Sequence, residues 1–156
     1  MGAACRAHTR QIEGAASGAR KIMKSTTEIN VRFSDCDPMG HVNNANYFTY
    51  MEQARVVFFK NFYDLPTEGH VGPETFPFIL AEISCRFLKP VFVDQNLVVH
   101  LRVSEVKNSS FFFEYELKEK STGDLAATGK SAQVYYDYKI GKPMPLPKEF
   151  REKLLR

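Results

Sequence analysis

The stretch DCDPMGHVNNANYFTYMEQAR, residues 35–55, joins a short polar turn to a markedly apolar segment. The turn contains carboxylates, a proline, a glycine and an imidazole, and a pair of asparagines follows it. Asparagine caps helix N-termini, where unpaired N–H groups and the helix dipole attract carboxylates and carbonyl oxygens. The stretch therefore predicts a reacting site held against the N-terminus of a helix.

The sequence around this turn predicts one long helix and several strands. Apolar residues recur at helical spacing from Asn44 to Tyr63 and cover a wide face, so this helix should be largely buried. Before the turn, Thr27 to Phe33 alternate in the period of a strand, and prolines and glycines mark 65–77 as a loop. The remaining predicted elements are strands at Phe78–Phe87, Asn96–Val106, Ser110–Glu119 and Leu125–Tyr136, and a short helix at Pro147–Leu155. This order predicts an α+β fold in which antiparallel strands wrap the helix.

The length of the chain favours a single domain. With 156 residues, of which 44% are hydrophobic, it can bury a sizeable core. We assign the domain to residues 25–156. Residues 1–24 are basic and rich in small residues, so we expect a disordered extension, with weak organellar targeting as the alternative.

Charge and cysteine content exclude several classes of protein. The formal charge of +3 arises from scattered basic residues, which disfavours a nucleic-acid partner. Cys5, Cys36 and Cys85 form an odd set without C-x-x-C spacing, so we expect a reducing compartment, the cytoplasm, rather than a disulfide framework. No stretch reaches the ~18 consecutive apolar residues of a membrane span.

Asp37 is the strongest catalytic candidate on physical grounds. A carboxylate just ahead of a helix start, on a turn forced by Pro38 and Gly40, faces free N–H groups that can polarise a carbonyl. The alternative is that Asp35 or Asp37 only stabilises the turn or the helix end.

The neighbours of Asp37 have structural alternatives of their own. Asn43 and Asn44 suit the N-cap, and capping would itself fix the carbonyl-binding end of the helix. Tyr47 suits a core position or a pocket wall. Cys36 lies between two aspartates, which disfavour its thiolate, so we do not expect it to be a nucleophile.

A metal site is not expected. Two carboxylates and one imidazole, Asp35, Asp37 and His41, lie on a single turn without a recognisable partner motif elsewhere in the sequence.

The pattern D-C-D-P-M-G-H-V-N-N-x-x-Y-x-x-Y-x-E-x-A-R resembles the signature of hot-dog-fold thioesterases of the 4-hydroxybenzoyl-CoA thioesterase superfamily, over residues 33–55. The resemblance implies a curved antiparallel sheet around a long central helix, and hydrolysis of acyl thioesters. It implies that Asp37 is the catalytic carboxylate and that the backbone N–H of Asn44 binds the thioester carbonyl. No cofactor is implied, because coenzyme A is part of the substrate. A homodimer or homotetramer with active sites at the protomer interface is also implied.

Plant acyl-carrier-protein thioesterases have a similar D-x-N-x-H-V-N-N stretch, in which Asp, Asn and His are implicated together. This sequence has Asp37 and His41, but Met39 stands where that branch has Asn. His41 is therefore a secondary catalytic candidate, with packing or bonding within the turn as the alternative.

The expected substrate is an acyl-CoA or an acyl-carrier-protein thioester. Around its reacting end we expect Gly40, Asn43 and Tyr47. Arg86 and Lys89 are the main candidates for the phosphates of coenzyme A, and each also suits an ordinary solvated surface. Two further basic candidates near predicted strand ends or turns are Lys107 and Lys130.

Two other functions remain open. Asp37 and His41 resemble an acid/base pair, which would suit a hot-dog hydratase or dehydratase of acyl thioesters, although those enzymes resemble signatures with other Asp–His spacing. A non-catalytic acyl-CoA-binding module is the alternative from a different class. It typically carries a DNA-binding segment, for which residues 1–24 are too short and too rich in Gly and Ala.

Overall fold

The computed structural model of the chain describes residues 23–64, 72 and 76–156. The chain forms β1 (Lys24–Asn30), a 3-10 turn (Phe33–Asp35), α1 (Asn44–Phe62), β2 (Phe78–Phe87), β3 (Asn96–Val106), β4 (Ser110–Glu119), β5 (Leu125–Asp137), β6 (Lys142–Pro143) and α2 (Lys148–Leu154). The predictions for residues 1–24 and 65–77 fall almost entirely outside the described residues. Lys24, at the end of the first of these ranges, is the first residue of β1.

The strands form one antiparallel sheet in the order β1-β3-β4-β5-β2, and β6 pairs with β5. Apolar and polar side chains alternate along β3 and β4, so one face is buried and the other carries charged residues. The buried face packs against α1, whose buried residues recur at helical spacing. The predicted α+β architecture, with a sheet wrapped around one long helix, is confirmed.

Aromatic rings fill the space between the helix and the sheet. Phe58 on α1 lies 4.8 Å from the ring of Phe113 on β4, and Phe59 lies 5.1 Å from the ring of Phe78 on β2. Further along, Met51 packs onto β5 at Gly129, where a side chain would collide with the Met51 sulfur. A glycine at this position therefore lets the first half of α1 lie close to the sheet.

The first strand differs from its predicted range of Thr27 to Phe33. It ends at Asn30, and the N–H of Val31 instead donates to the carbonyl of Gln95 at 2.9 Å. Phe33, the last apolar residue of the predicted strand, is 86% exposed because the chain turns into the 3-10 turn. A salt bridge of 2.8 Å between Arg32 and Asp35 closes that turn, and alternation of apolar residues alone does not reveal it.

The two predicted helices are confirmed with small changes at their ends. Asn43 is the N-cap of α1, and its side-chain oxygen accepts a hydrogen bond of 3.0 Å from the N–H of Ala45. Pro147 occupies the N-cap position of α2. The short strand β6 has no counterpart in the predicted elements.

Candidate active site

The polar turn of residues 35–43 is a narrow hairpin. Cys36 and Val42 form an isolated antiparallel bridge, and the N–H of Asp37 donates to the carbonyl of His41 at 3.0 Å. At the tip, the N–H of Gly40 donates to the carbonyl of Asp37 at 2.9 Å, and Gly40 has a φ of 86°, which favours glycine. The hairpin therefore places Asp37 and His41 directly opposite each other.

The carboxylate of Asp37 is partly engaged within this hairpin. Its Oδ1 accepts a hydrogen bond of 2.9 Å from the N–H of Met39. No hydrogen bond from the described residues engages the other oxygen, Oδ2. One oxygen is thus oriented by the turn while the second stays available for chemistry.

The hairpin leads straight into α1, so the helix start lies beside this carboxylate. Asn43 is the N-cap, and Asn44 is the first helical residue. The N–H groups of the first helical turn have no intrahelical partner, and the helix dipole adds a partial positive charge there. The N–H of Asn44 can therefore bind a carbonyl oxygen or an anion.

A cavity of about 470 Å³ opens at this point of the structure. It is lined by Asp37, His41, Val42, Asn44, Tyr47 and the segment 87–90. Of the predicted site residues, the cavity brings together Asp37, His41, Asn44, Tyr47 and Lys89. Gly40 and Asn43 belong to the same hairpin and helix start but do not line the cavity.

The predicted basic residues do not converge on this cavity. Arg86 lines a separate cavity of about 940 Å³ together with Lys130, which lies 3.2 Å from Glu114. Although larger, that cavity is lined mostly by polar and charged residues of the sheet, and none of the hairpin residues 35–43 lines it. Lys107 pairs with Glu105 at 3.7 Å. Lys89 therefore remains the basic residue, among those predicted, that lies at the Asp37 cavity.

His41 makes a contact within its own turn. Its Nδ1 lies 3.3 Å from the carbonyl oxygen of Val42, so a proton on Nδ1 would donate to that oxygen. This contact agrees with a bonding role inside the turn, and the same ring also lines the cavity.

Tyr47 and Cys85 stay protonated at neutral pH. Burial raises the pKa of Tyr47 to about 12 and the pKa of the Cys85 thiol to about 11. The ring of Tyr47 lies 5.0 Å from that of Phe87, which also lines the cavity. Tyr47 thus serves as a wall of the cavity, and Cys85 is a poor nucleophile at neutral pH.

Asp35 has a structural role. The sequence pattern alone does not distinguish this aspartate from Asp37. Its side chain is 2% exposed and accepts hydrogen bonds from Arg32 and, at 2.9 Å, from the hydroxyl of Tyr50. Burial tends to raise the pKa of Asp35, but these hydrogen bonds outweigh it and hold the pKa below its usual value. The Tyr50 contact spans fifteen residues, and no local signal indicates it.

A second polar cluster lies between α1 and the sheet. Arg55 donates to the hydroxyl of Tyr115 at 3.3 Å, and this hydroxyl lies 2.6 Å from that of Ser131. Gln133 donates to Ser131 at 2.7 Å, while its own side-chain oxygen has no hydrogen-bond partner among the described residues.

Two further properties bear on the kind of site. Within the described ranges, no group of three or more His, Cys, Asp or Glu side chains is arranged to hold a metal ion. The same part of the chain contains no helix with the length and apolar character needed to cross a membrane.

Comparison with known proteins places the chain among thioesterases. A family model described as the thioesterase-like superfamily matches residues 31–154. The chain is 25% identical over 128 residues to the long-chain acyl-CoA thioesterase FadM of Escherichia coli. This alignment covers 82% of this chain and 95% of FadM. It is also 30% identical over 128 residues to the uncharacterized protein YsmA of Bacillus subtilis. That alignment covers 82% of this chain and 83% of YsmA.

A solved structure extends this likeness to three dimensions. A thioesterase from Thermus thermophilus, crystallised with coenzyme A and zinc, has a TM-score of 0.70 and 30% identity, and the match covers 83% of this chain and 95% of that chain. The hot-dog fold implied by the signature at residues 33–55 is thereby confirmed.

Proposed function

The chain belongs to the thioesterase-like superfamily and is a thioester hydrolase, and we propose that it cleaves acyl-CoA with Asp37 as the reacting carboxylate. The observation that carries this proposal is the shared cavity of Asp37 and Asn44. In this cavity the Asp37 carboxylate, which has one available oxygen, and the free N–H of Asn44 face the same space. These are the two groups that hydrolysis of a thioester requires: one to deliver oxygen and one to stabilise the oxyanion.

The N–H of Asn44 binds the thioester carbonyl. As the carbonyl carbon becomes tetrahedral, negative charge develops on its oxygen, and the helix N-terminus stabilises that charge. A single donor of this kind is typically worth ~10² to 10³ in rate. Because the Asn43 side chain caps a different N–H, that of Ala45, capping leaves the Asn44 N–H available.

Asp37 acts by one of two routes. In the first, a carboxylate oxygen attacks the carbonyl carbon, the C–S bond breaks, and the thiolate leaves and takes up a proton; water then hydrolyses the mixed anhydride to release the acid. In the second, the carboxylate positions a water molecule and accepts its proton while that water attacks; the tetrahedral intermediate then collapses, the C–S bond breaks, and the departing thiolate takes up the proton. In both, a thiolate is a good leaving group, so a strong general acid is not required.

Lys89 contributes to binding the phosphates of coenzyme A. Its side chain is more than half exposed at the rim of the cavity and pairs with Asp124 at 2.9 Å. An exposed ion pair of this kind is weak, so an incoming phosphate can compete with Asp124 for the ammonium group. Acyl-carrier-protein thioesters present a phosphate on their prosthetic group as well and form the second substrate class.

The protein functions as a homodimer in which β2 pairs with β2 of a second copy. β2 is an edge strand with ten residues, and its outer edge has no partner within the described part of the chain. It also exposes Leu80 and Phe87, at 45% and 48%. Long apolar edge strands are prone to pairing with another chain, and Phe87 lines the Asp37 cavity, so pairing would bring the second copy next to the site. A homotetramer and a cytoplasmic location stay predictions.

A thiol-release assay over short, long and aromatic acyl-CoA substrates tests the function. We expect cleavage by the wild type and a loss of at least ~10²-fold in kcat for Asp37→Asn. A matched control is Asp94→Asn, because Asp94 is exposed and adopts a φ of 65° that asparagine tolerates. Near-normal hydrolysis by Asp37→Asn would refute both routes, and water addition to an enoyl thioester without thiol release would favour a hydratase.

A further inference from the structure

The carboxylate of Asp35 is saturated with donors from the protein itself. It accepts hydrogen bonds from Arg32 Nη2 at 2.8 Å, Arg32 Nε at 3.1 Å and the Arg32 backbone N–H at 3.1 Å. The hydroxyl of Tyr50, on α1, donates a further bond of 2.9 Å. A buried carboxylate needs such donors to offset its lost hydration. These bonds tie the start of the hairpin to the first half of the helix.

The backbone of the same residue holds the start of α1. The carbonyl oxygen of Asp35 accepts from the N–H of Asn43 at 2.9 Å and from the side-chain Nδ2 of Asn46 at 2.8 Å. The bond to Asn43 closes the base of the hairpin, below the Cys36 and Val42 bridge. Asp35 therefore contacts both arms of the hairpin and the first turn of the helix.

We infer that Asp35 is a positioning residue that fixes the Asp37 carboxylate relative to the Asn44 N–H. Asp37 follows two residues after Asp35 on one arm of the hairpin, and Asn44 follows directly after Asn43 on the other. Asp35 itself does not line the cavity. The inference rests on the proposed function, because it gives Asp35 an effect on the reaction only through those two groups.

The kinetic test compares Asp35→Asn and Tyr50→Phe with the control Asp94→Asn. A displacement of ~1 Å between reacting groups can cost ~10²-fold in rate. We expect kcat to fall ~10²-fold in Asp35→Asn and ~10-fold in Tyr50→Phe, with KM within ~3-fold of the wild type. Circular dichroism at the assay temperature establishes that each variant is folded. If Asp35→Asn does not fold, Tyr50→Phe decides, since it retains the carboxylate and its Arg32 donors. A folded Asp35→Asn with the wild-type kcat would overturn the inference. If only Tyr50→Phe folds, a wild-type kcat in that variant would overturn it.

The pH profile of kcat separates positioning from direct catalysis. Asp37 must be deprotonated to react, so kcat should fall towards acid pH. We expect Asp35→Asn to keep this acidic limb at a lower plateau, and Asp37→Asn to lose it. Loss of the limb in Asp35→Asn would make Asp35 the reacting group and overturn the inference. Full activity of Asp37→Asn would overturn both the proposed function and the inference. If Asp37→Asn is inactive but Asp35→Asn is fully active, only the inference is overturned.

Discussion

The ammonium group of Lys153 donates a hydrogen bond to the carbonyl oxygen of Phe62, the last residue of α1. It also lies 4.5 Å from the centre of the Phe62 ring. A lysine on α2 thus caps the C-terminal end of the helix whose N-terminal end forms the candidate site. Cations at a helix C-terminus are stabilising, because the last carbonyls are unpaired and carry partial negative charge.

The Lys153 cap predicts a specific loss of stability. We expect Lys153→Met to lower the free energy of unfolding by about 1–2 kcal/mol, since it leaves the Phe62 carbonyl without its charged donor. The control is Lys148→Met on the same helix, where the lysine is 88% exposed and makes a 4.0 Å ion pair. Urea denaturation measures both variants. Equal effects of the two substitutions would contradict the role of the cap.

The contact of Met51 with Gly129 predicts a penalty for any side chain at that position. The Cβ of Gly129→Ala would collide with the Met51 sulfur and lie 3.1 Å from the carbonyl oxygen of Ser84. We expect a loss of about 1–3 kcal/mol, the usual cost of overpacking a core. A double-mutant cycle with Met51→Ala tests the cause, because removing the thioether should make Gly129→Ala less costly. Strict additivity would show that the backbone contact at Ser84 dominates instead.

The buried cluster around Ser131 predicts unequal effects for two substitutions on β5. Ser131→Ala removes the partner of Tyr115 and of Gln133, so we expect a loss of about 1–3 kcal/mol. Gln133→Met removes a side chain whose oxygen is buried without a partner among the described residues, so it should be nearly neutral or stabilising. Thermal and urea unfolding of both variants check this order. A larger loss in Gln133→Met than in Ser131→Ala would contradict it.

The buried carboxylate of Asp35 predicts how stability depends on pH. Its pKa in the folded protein lies below the ordinary value of 3.8, because hydrogen bonds from Arg32 and Tyr50 outweigh burial. The unfolded chain therefore takes up this proton first, and the stabilising contribution is complete above pH ~3.8. It is lost only as the pH falls through the lower folded-state pKa.

The difference in unfolding free energy between the wild type and Asp35→Asn isolates this contribution. We expect the difference to be constant from pH 7 to about pH 5 and to shrink only below about pH 4. Urea titrations at a series of pH values measure it. A difference that instead increases as the pH falls from 7 to 4 would mean that the folded-state pKa of Asp35 is raised rather than lowered.

The sequence predicted the elements whose signals are local. The Asn43 cap and the helical spacing of apolar residues located α1, and the Pro38 and Gly40 turn located the hairpin that carries Asp37. The sequence did not distinguish the two aspartates, because their difference depends on a hydroxyl fifteen residues away. Likewise, Arg86 and Lys89 are close in the chain yet line different cavities, because Arg86 lies within β2 and Lys89 follows the end of that strand at Phe87.

The hairpin of residues 35–43 has a consequence for protein engineering. Its tip, Pro38 to Gly40, is exposed, while its base is held by the Asp35 and Asn43 backbone bond. Sequence diversity can therefore be introduced at Met39, which is 79% exposed, without touching the bonds that hold the fold. A library at that one codon, with proline excluded because the Met39 N–H donates to Asp37 and with Gly40 retained for its positive φ, would sample new surroundings for the candidate carboxylate of Asp37 on the same scaffold.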